Sequence, residues 1–168
     1  LFIVSGMFVP FAILMMPLVK QTAEMGLDNK VGVIILYTVF YMPMNVLLYS
    51  GYLTNIPMAL EEAAKIDGCT RLQIFFRIVF PLMKPILSTL TILNVLGLWN
   101  DYLLPNLVLG KKALYTLPLA IRTFYGTFSN DLGKIMAALV MIVAPIILVY
   151  IFLQKYIIGG VVAGAVKS

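Results

Sequence analysis

The sequence predicts an all-α fold: a polytopic membrane helix bundle forming one domain over residues 1–168. Two observations predict it. Of the residues, 62% are hydrophobic and only 11% charged, with a mean hydropathy of +1.02. A soluble domain of this size has no use for so much apolar surface. The apolar residues also gather into four runs of about 20, the length a helix needs to cross a hydrocarbon core roughly 30 Å thick.

The first predicted span is 1–19, with Pro10 inside it; neighbouring helices can satisfy the carbonyl that such a proline frees. Residues 20–30 are a polar loop with a turn-like Gly26-Leu27-Asp28-Asn29. The second span, 31–53, carries Pro43 and Asn45 near its middle. Residues 54–83 are the most charged stretch and read as a helix–turn–helix. Pro57 suits a first helical turn, where a missing N–H costs nothing. Glu61 and Glu62 sit early, at the positive end of the helix dipole. Gly68 is placed to end the helix in a left-handed conformation, and Thr70-Arg71-Leu72-Gln73 has the form of a capping box that starts the next. Leu72, Phe75, Phe76, Val79 and Phe80 then recur as one apolar stripe, which Pro81 and Pro85 stop.

A third span covers 84–104, a long loop 105–133, and a fourth span 134–156 with Pro145. The tail from Gly159 to Ser168 is too rich in glycine for a helix. The chain starts at Leu1 inside an apolar run, as a fragment of a longer protein does; a signal peptide would need a basic segment before that run. No repeat of 20–50 residues is visible.

Composition excludes several functions. The net charge of +5 is spread over loops and span ends, where basic residues meet headgroups, and no basic patch interleaves aromatics for nucleic acid. With no histidine and the single Cys69, the chain offers no metal centre, catalytic triad or intrachain disulfide. Gly110-Lys111-Lys112 lacks the preceding glycine and following hydroxyl of a phosphate loop, so no ATP site is present. The chain reads as a protein without enzymatic activity of its own.

Glu62-Ala63-Ala64, three residues, Gly68, nine residues, then Ile78-Val79-Phe80-Pro81 resembles the EAA loop of ABC importer permeases, with Phe80 in place of a leucine. Trp99-Asn100-Asp101-Tyr102-Leu103-Leu104-Pro105, Thr116-Leu117-Pro118-Leu119, Ala137-Ala138, Pro145, Gln154-Lys155-Tyr156 and the tail are similar to the carbohydrate-uptake branch, and to the second maltose permease subunit type within it. The resemblance runs from about residue 30 to the end.

It implies the C-terminal, four-span part of an importer transmembrane domain in a prokaryotic cytoplasmic membrane, with two spans before Leu1. It implies a second permease subunit, an ATPase subunit dimer that binds the ATP, an extracytoplasmic solute-binding protein and the lipid bilayer as partners. Glu61, Glu62, Ala63, Ala64, Asp67, Gly68 and Pro81 would carry ATPase coupling, and Gly164, Ala165, Val166 and Lys167 would reach the ATPase dimer. It also sets the topology, placing residues 54–83 and the C-terminus in the cytoplasm. Basic residues do not: Lys65, Arg71, Arg77, Lys84, Lys155 and Lys167 balance Lys20, Lys30, Lys111, Lys112, Arg122 and Lys134.

Several readings stay open on the residues alone. The amphipathic stretch fits ATPase docking and also an interfacial helix anchored by Phe75, Phe76 and Phe80. Asn45, Asn94, Asn100 and Asp101 are candidate translocation-path residues, because polar groups in a span must pair or meet water. For Asn45 and Asn94, interhelical hydrogen bonding is the stronger reading. Trp99 and Tyr102 fit an interfacial belt or sugar stacking. The 105–133 loop, with Tyr115, Arg122, Phe124, Tyr125 and Phe128, fits a docking surface for the binding protein or packing against the partner permease. The substrate implied is a sugar or oligosaccharide. The alternatives are a polyol or glycerol phosphate, or an ion-coupled secondary transporter, which would want intramembrane carboxylates.

Overall fold

A computed structural model describes residues 2–125 and 131–165, with side chains described as far as Phe152. Phe128 of the long loop and Val166 and Lys167 of the tail therefore lie outside the described residues.

The chain is an all-α bundle built for a membrane. Its helices are α1 (Phe2–Ser5), α2 (Phe11–Glu24), α3 (Lys30–Leu53), α4 (Met58–Ile66), α5 (Arg71–Ile74), α6 (Phe80–Leu82), α7 (Lys84–Asn100), α8 (Leu103–Val108), α9 (Leu117–Ala120) and α10 (Leu132–Ala165). Helix α3, and residues Leu132–Phe152 of α10, are long and apolar enough to cross a membrane. Two further pairs of helical segments reach that length only as bent units. Large apolar side chains such as Ile34, Val140 and Phe152 face outward, as lipid-facing or subunit-facing helices require.

The first expected span is not one straight helix. Phe2–Phe8 and Phe11–Glu24 meet at 105°. Pro10 explains the break: its ring pushes Val9 out of the helical region, to ψ 115°, and it has no N–H to donate. The helix then runs on to Glu24, through what the sequence reads as loop. The elbow packs on α3, where Phe11 meets Phe40 edge to face with centroids 5.2 Å apart. Asn29 starts α3, its Oδ1 accepting from the amides of Val31 at 2.9 Å and Gly32 at 3.3 Å.

The third span ends earlier than expected. Helix α7 stops at Asn100, and Asp101 turns extended, with ψ 125°. Its Oδ1 accepts from the Leu103 amide at 2.8 Å and so starts α8, the competition with helix continuation at which Asp excels. The long loop is mostly structured, since α8, α9 and short 3-10 turns fill it. Leu104, Val108, Leu109 and Leu119 from this region pack with Val33 into a core that closes one end of the bundle.

A second core, Ala64, Ile74, Val79 and Met83, closes the other end. Asp131 leads into α10, and a 2.7 Å bond from Lys134 Nζ holds the Asp131 carboxyl below the usual carboxylate range. Helix α10 packs on α7 and continues to Ala165, so the described part of the glycine-rich tail is helical where a non-helical tail is expected. Glycine is tolerated in apolar helices of this kind, where no water competes for the backbone.

Candidate functional site

Two regions, one at each end of α3 and α7, collect the predicted site residues of 54–83 and the pair Asn100 and Asp101. At the first, α4 is held by local chemistry. Pro57 sits at its N-cap and Glu61 in its first turn. At its other end Gly68 adopts φ +79°; its amide donates to the Lys65 carbonyl at 3.1 Å, and the Cys69 amide donates to the Ala64 carbonyl at 3.0 Å. These two bonds are the Schellman pattern, which needs a left-handed residue at that place.

One residue later the predicted capping box is present. The Thr70 amide donates to Gln73 Oε1 at 2.8 Å, and the Gln73 amide donates to Thr70 Oγ1 at 3.4 Å. Glycine turn and capping box together fix the angle between α4 and the next helix.

Within α4 the roles divide by face. Ala64 is buried against Ile74, Val79 and Met83, while Glu62, Ala63, Asp67 and Gly68 are exposed and Glu61 half-buried. Glu61, Glu62 and Asp67 form no ion pair among the described residues. The sequence reading missed Met58 and Ile66, 71% and 86% exposed, which flank Glu62 at four-residue spacing on the same helix. The signal was available, because apolar residues four apart share a helical face.

The expected stripe after Thr70 is split. Residues Phe75–Val79 form a π-turn, and the Phe80 amide donates to the Phe75 carbonyl. This widened turn brings Ile74 and Val79 to the buried side, five residues apart, and leaves Leu72, Phe75, Phe76 and Phe80 exposed. Pro81 supplies the reason: its ring would clash with the carbonyl four residues back, and a wider turn relieves the contact. Pro81 itself is half-buried in α6. The element is tied to α3 by Tyr52, whose hydroxyl donates to the Leu82 carbonyl at 3.2 Å.

At the opposite end, a cavity of about 410 Å³ is lined by Phe11, Tyr37, Phe40, Tyr41, Asn100 and Asp101 among others. The Tyr37 hydroxyl donates to Asp101 Oδ2 at 2.9 Å. Asn100 donates to the Leu96 carbonyl at 2.8 Å, which leaves its Oδ1 without a donor among the described residues. The Tyr41 hydroxyl crowds Gly97 so closely that a Cβ there would collide with it. A carboxylate, an amide oxygen and a phenol thus share one wall with several rings. Sequence reasoning found Asn100 and Asp101 but missed Tyr37, Tyr41 and Gly97, although hydroxyls four residues apart within a span were visible.

Asn45 and Asn94 are not part of this cavity. Asn94 Nδ2 donates to Asn45 Oδ1 at 3.0 Å, an interhelical bond near the middle of α3 and α7. Trp99 Nε1 donates to the Ile142 carbonyl at 3.0 Å, so Trp99 ties α7 to α10. In the former loop, Arg122 bonds Asn106 and lies 6.0 Å from the Tyr115 ring centroid. No cluster that could hold a metal exists among the described residues. Gly164 and Ala165 fall in the last turns of α10.

Comparison with known proteins adds relatives to this geometry. The family described as binding-protein-dependent transport system inner membrane component matches residues 1–162. A multiple sugar-binding transport system permease protein of Streptococcus mutans is 40% identical over 167 residues, covering 98% of this chain and 60% of that protein. A melibiose/raffinose/stachyose import permease protein of Bacillus subtilis is 40% identical over 168 residues, 99% of this chain and 61% of that protein. A probable starch degradation products transport system permease protein of Thermoanaerobacterium thermosulfurigenes is 38% identical over 163 residues, 97% and 60% respectively. The chain thus spans about three-fifths of the length of these relatives.

Proposed function

Since the chain belongs to the family of binding-protein-dependent transport system inner-membrane components, we propose that it is the part of a carbohydrate-importer permease that couples to an ATPase. It is a multi-pass protein of the inner membrane. The single observation that carries the coupling role is α4, a nine-residue helix fixed at its C-terminal end by the Gly68 turn and free along one face. A short rigid helix with unpaired carboxylates and a small residue, Ala63, fits a cleft bearing basic side chains.

In this reading Glu61, Glu62, Ala63 and Asp67 contact an ATPase subunit, Gly68 sets the helix angle, and Ala64 and Pro81 fix the element to the bundle. The ATPase subunits bind the ATP, and this chain performs no catalysis. Gly164, Ala165, Val166 and Lys167 reach the ATPase dimer. A second permease subunit completes the path, and a solute-binding protein delivers the sugar from outside. ATP-driven closure of the ATPase dimer moves α4 and rocks the spans between two states, an alternating access by rigid-body motion.

The relatives whose names specify sugars support a saccharide substrate. In the cavity, Asp101 and the Asn100 oxygen suit sugar hydroxyls as donors, and the Phe40 and Tyr41 rings suit sugar faces. Asn45 and Asn94, each bonded to the other, hold the helices together and do not contact substrate.

The test is the complete transporter purified from membranes, with intact permease and with Glu62→Arg or Gly68→Pro, scored for retained ATPase subunit and for ATP-dependent uptake of a labelled oligosaccharide. The ATPase subunit should be retained by the intact permease and lost or uncoupled in both variants. Normal uptake by Gly68→Pro would end the coupling assignment.

A further inference from the structure

The face of α5, the π-turn and α6 that turns away from the buried core carries Phe75, Phe76 and Phe80. Their ring centroids lie 5.0, 6.1 and 6.4 Å apart, yet Phe76 is 61% exposed. Rings so grouped and so open need a partner. We infer that this aromatic cluster is seated in the lipid headgroup layer at the coupling end of the bundle, so that α5–α6 lies on the membrane surface while α4 alone engages protein.

Three observations lead there. The first is direction. Arg71–Leu82 is bent 65° from Lys84–Asn100, so where α7 crosses the bilayer the preceding segment runs closer to the membrane plane than to its normal. The second is depth. At 1.5 Å per residue, α7 with its 17 residues rises about 25 Å, slightly less than the hydrocarbon thickness. The bilayer surface therefore falls near or just before Lys84. Projected on the α7 axis, the bent segment climbs only about 0.6 Å per residue, which puts Phe75 about 6 Å beyond Lys84. The polar layer is itself about 5–8 Å thick on each side, so all three rings fall inside it.

The third observation is charge. From Thr70 to Lys84 the sequence holds Arg71, Arg77 and Lys84 and no acid, with Arg71 and Arg77 exposed. Aromatic rings at headgroup level with flanking basic side chains are the composition of an interfacial helix. The acids of the element, Glu61, Glu62 and Asp67, are confined to α4 and its turn, so the two helices differ in charge as partners of different kinds require. Gly68 separates them.

The proposal is tested in the complete transporter in phosphatidylethanolamine/phosphatidylglycerol vesicles. A nitroxide is attached at Phe76→Cys or Phe80→Cys in a Cys69→Ala chain, with Asp28→Cys in the exposed turn before α3 as the water-facing reference. Power saturation compares molecular oxygen, which concentrates in lipid, with a water-soluble nickel chelate. At positions 76 and 80 the oxygen-to-nickel ratio should be several-fold above that at 28. A label immobilised and inaccessible to both reagents would mean that a protein subunit covers the rings, and a ratio equal to that at 28 would mean that they face water. Either result overturns the proposal, and neither depends on which sugar is transported.

Discussion

The Gly68 turn gives the sharpest test of how α4 is held. With φ at +79°, any residue with a Cβ is strained by about 1–2 kcal/mol. Nothing lies within 4 Å of a Cβ built there, so this cost comes from the backbone alone. A change of that size shifts a local equilibrium about 5- to 30-fold. In Gly68→Ala, the amide of Cys69, bonded to the Ala64 carbonyl, should exchange its hydrogen faster by that factor. Gly68→Asn should fall between Gly and Ala, because Asn tolerates the left-handed region. Gly68→Pro fixes φ near −65° and removes the donor to the Lys65 carbonyl, so the turn should be lost. Hydrogen exchange by mass spectrometry on the complete transporter, with the ratio of sugar taken up to ATP hydrolysed, reads both effects. Equal exchange in Gly, Asn and Ala would show that the turn does not limit the element, and the reasoning would fail.

The Asn45–Asn94 bond should appear in a double-mutant cycle of Asn45→Leu and Asn94→Leu with a coupling of about 0.6–1.7 kcal/mol, the range for such bonds between membrane helices; strict additivity in detergent unfolding would show that the two amides do not act as a pair. Gly97→Ala should lower the melting temperature of the solubilised protein because its Cβ meets the Tyr41 hydroxyl, and Tyr41→Phe should restore most of the loss. If the second change adds to the first, the close approach is not the cause. Thr70→Ala should cost about 1 kcal/mol of local stability by removing the capping box and Thr70→Ser almost nothing, measured by exchange at the Gln73 amide.

What the sequence discloses and what it conceals follow from the range of the interactions. The α4 turn and the capping box were legible because every atom involved lies within about five residues: Gly68, Thr70 and Gln73 act on their own neighbours. The long apolar runs were legible because composition alone selects a membrane. The elbow at Pro10 was half legible. Proline marks the place, but whether a helix bends or breaks depends on what it packs against, here α3 and Phe40. The π-turn was hidden because a 3.6-residue period was imposed on Ile74–Phe80, and one widened turn reassigns every residue after it. The cavity was hidden for a different reason. Tyr37 and Asp101 are 64 residues apart, and nothing local couples them.

The two ends of the bundle share their helices, which bears on how the proposed movement reaches the cavity. Helices α3 and α7 both run from the α4 end to the cavity. At the α4 end α3 is joined to α6 by the Tyr52–Leu82 bond, and α7 follows α6 directly through Met83. In the middle the Asn45–Asn94 bond prevents the two helices from sliding independently, since an unpaired amide in an apolar layer is costly. At the far end Tyr37 and Asp101 join them again. A displacement of α4 therefore acts on α3 and α7 as one body, and the cavity wall that both helices build would turn as a unit. What can change instead is the relation of that body to the elbow before Phe11, which contributes a ring to the cavity from a separate segment. A cavity whose walls come from a bonded pair of helices and from a third segment bent at Pro10 can change shape without breaking the hydrogen bonds that hold the pair. Loss of the Asn45–Asn94 bond should then weaken the proposed coupling even though neither amide lines the cavity.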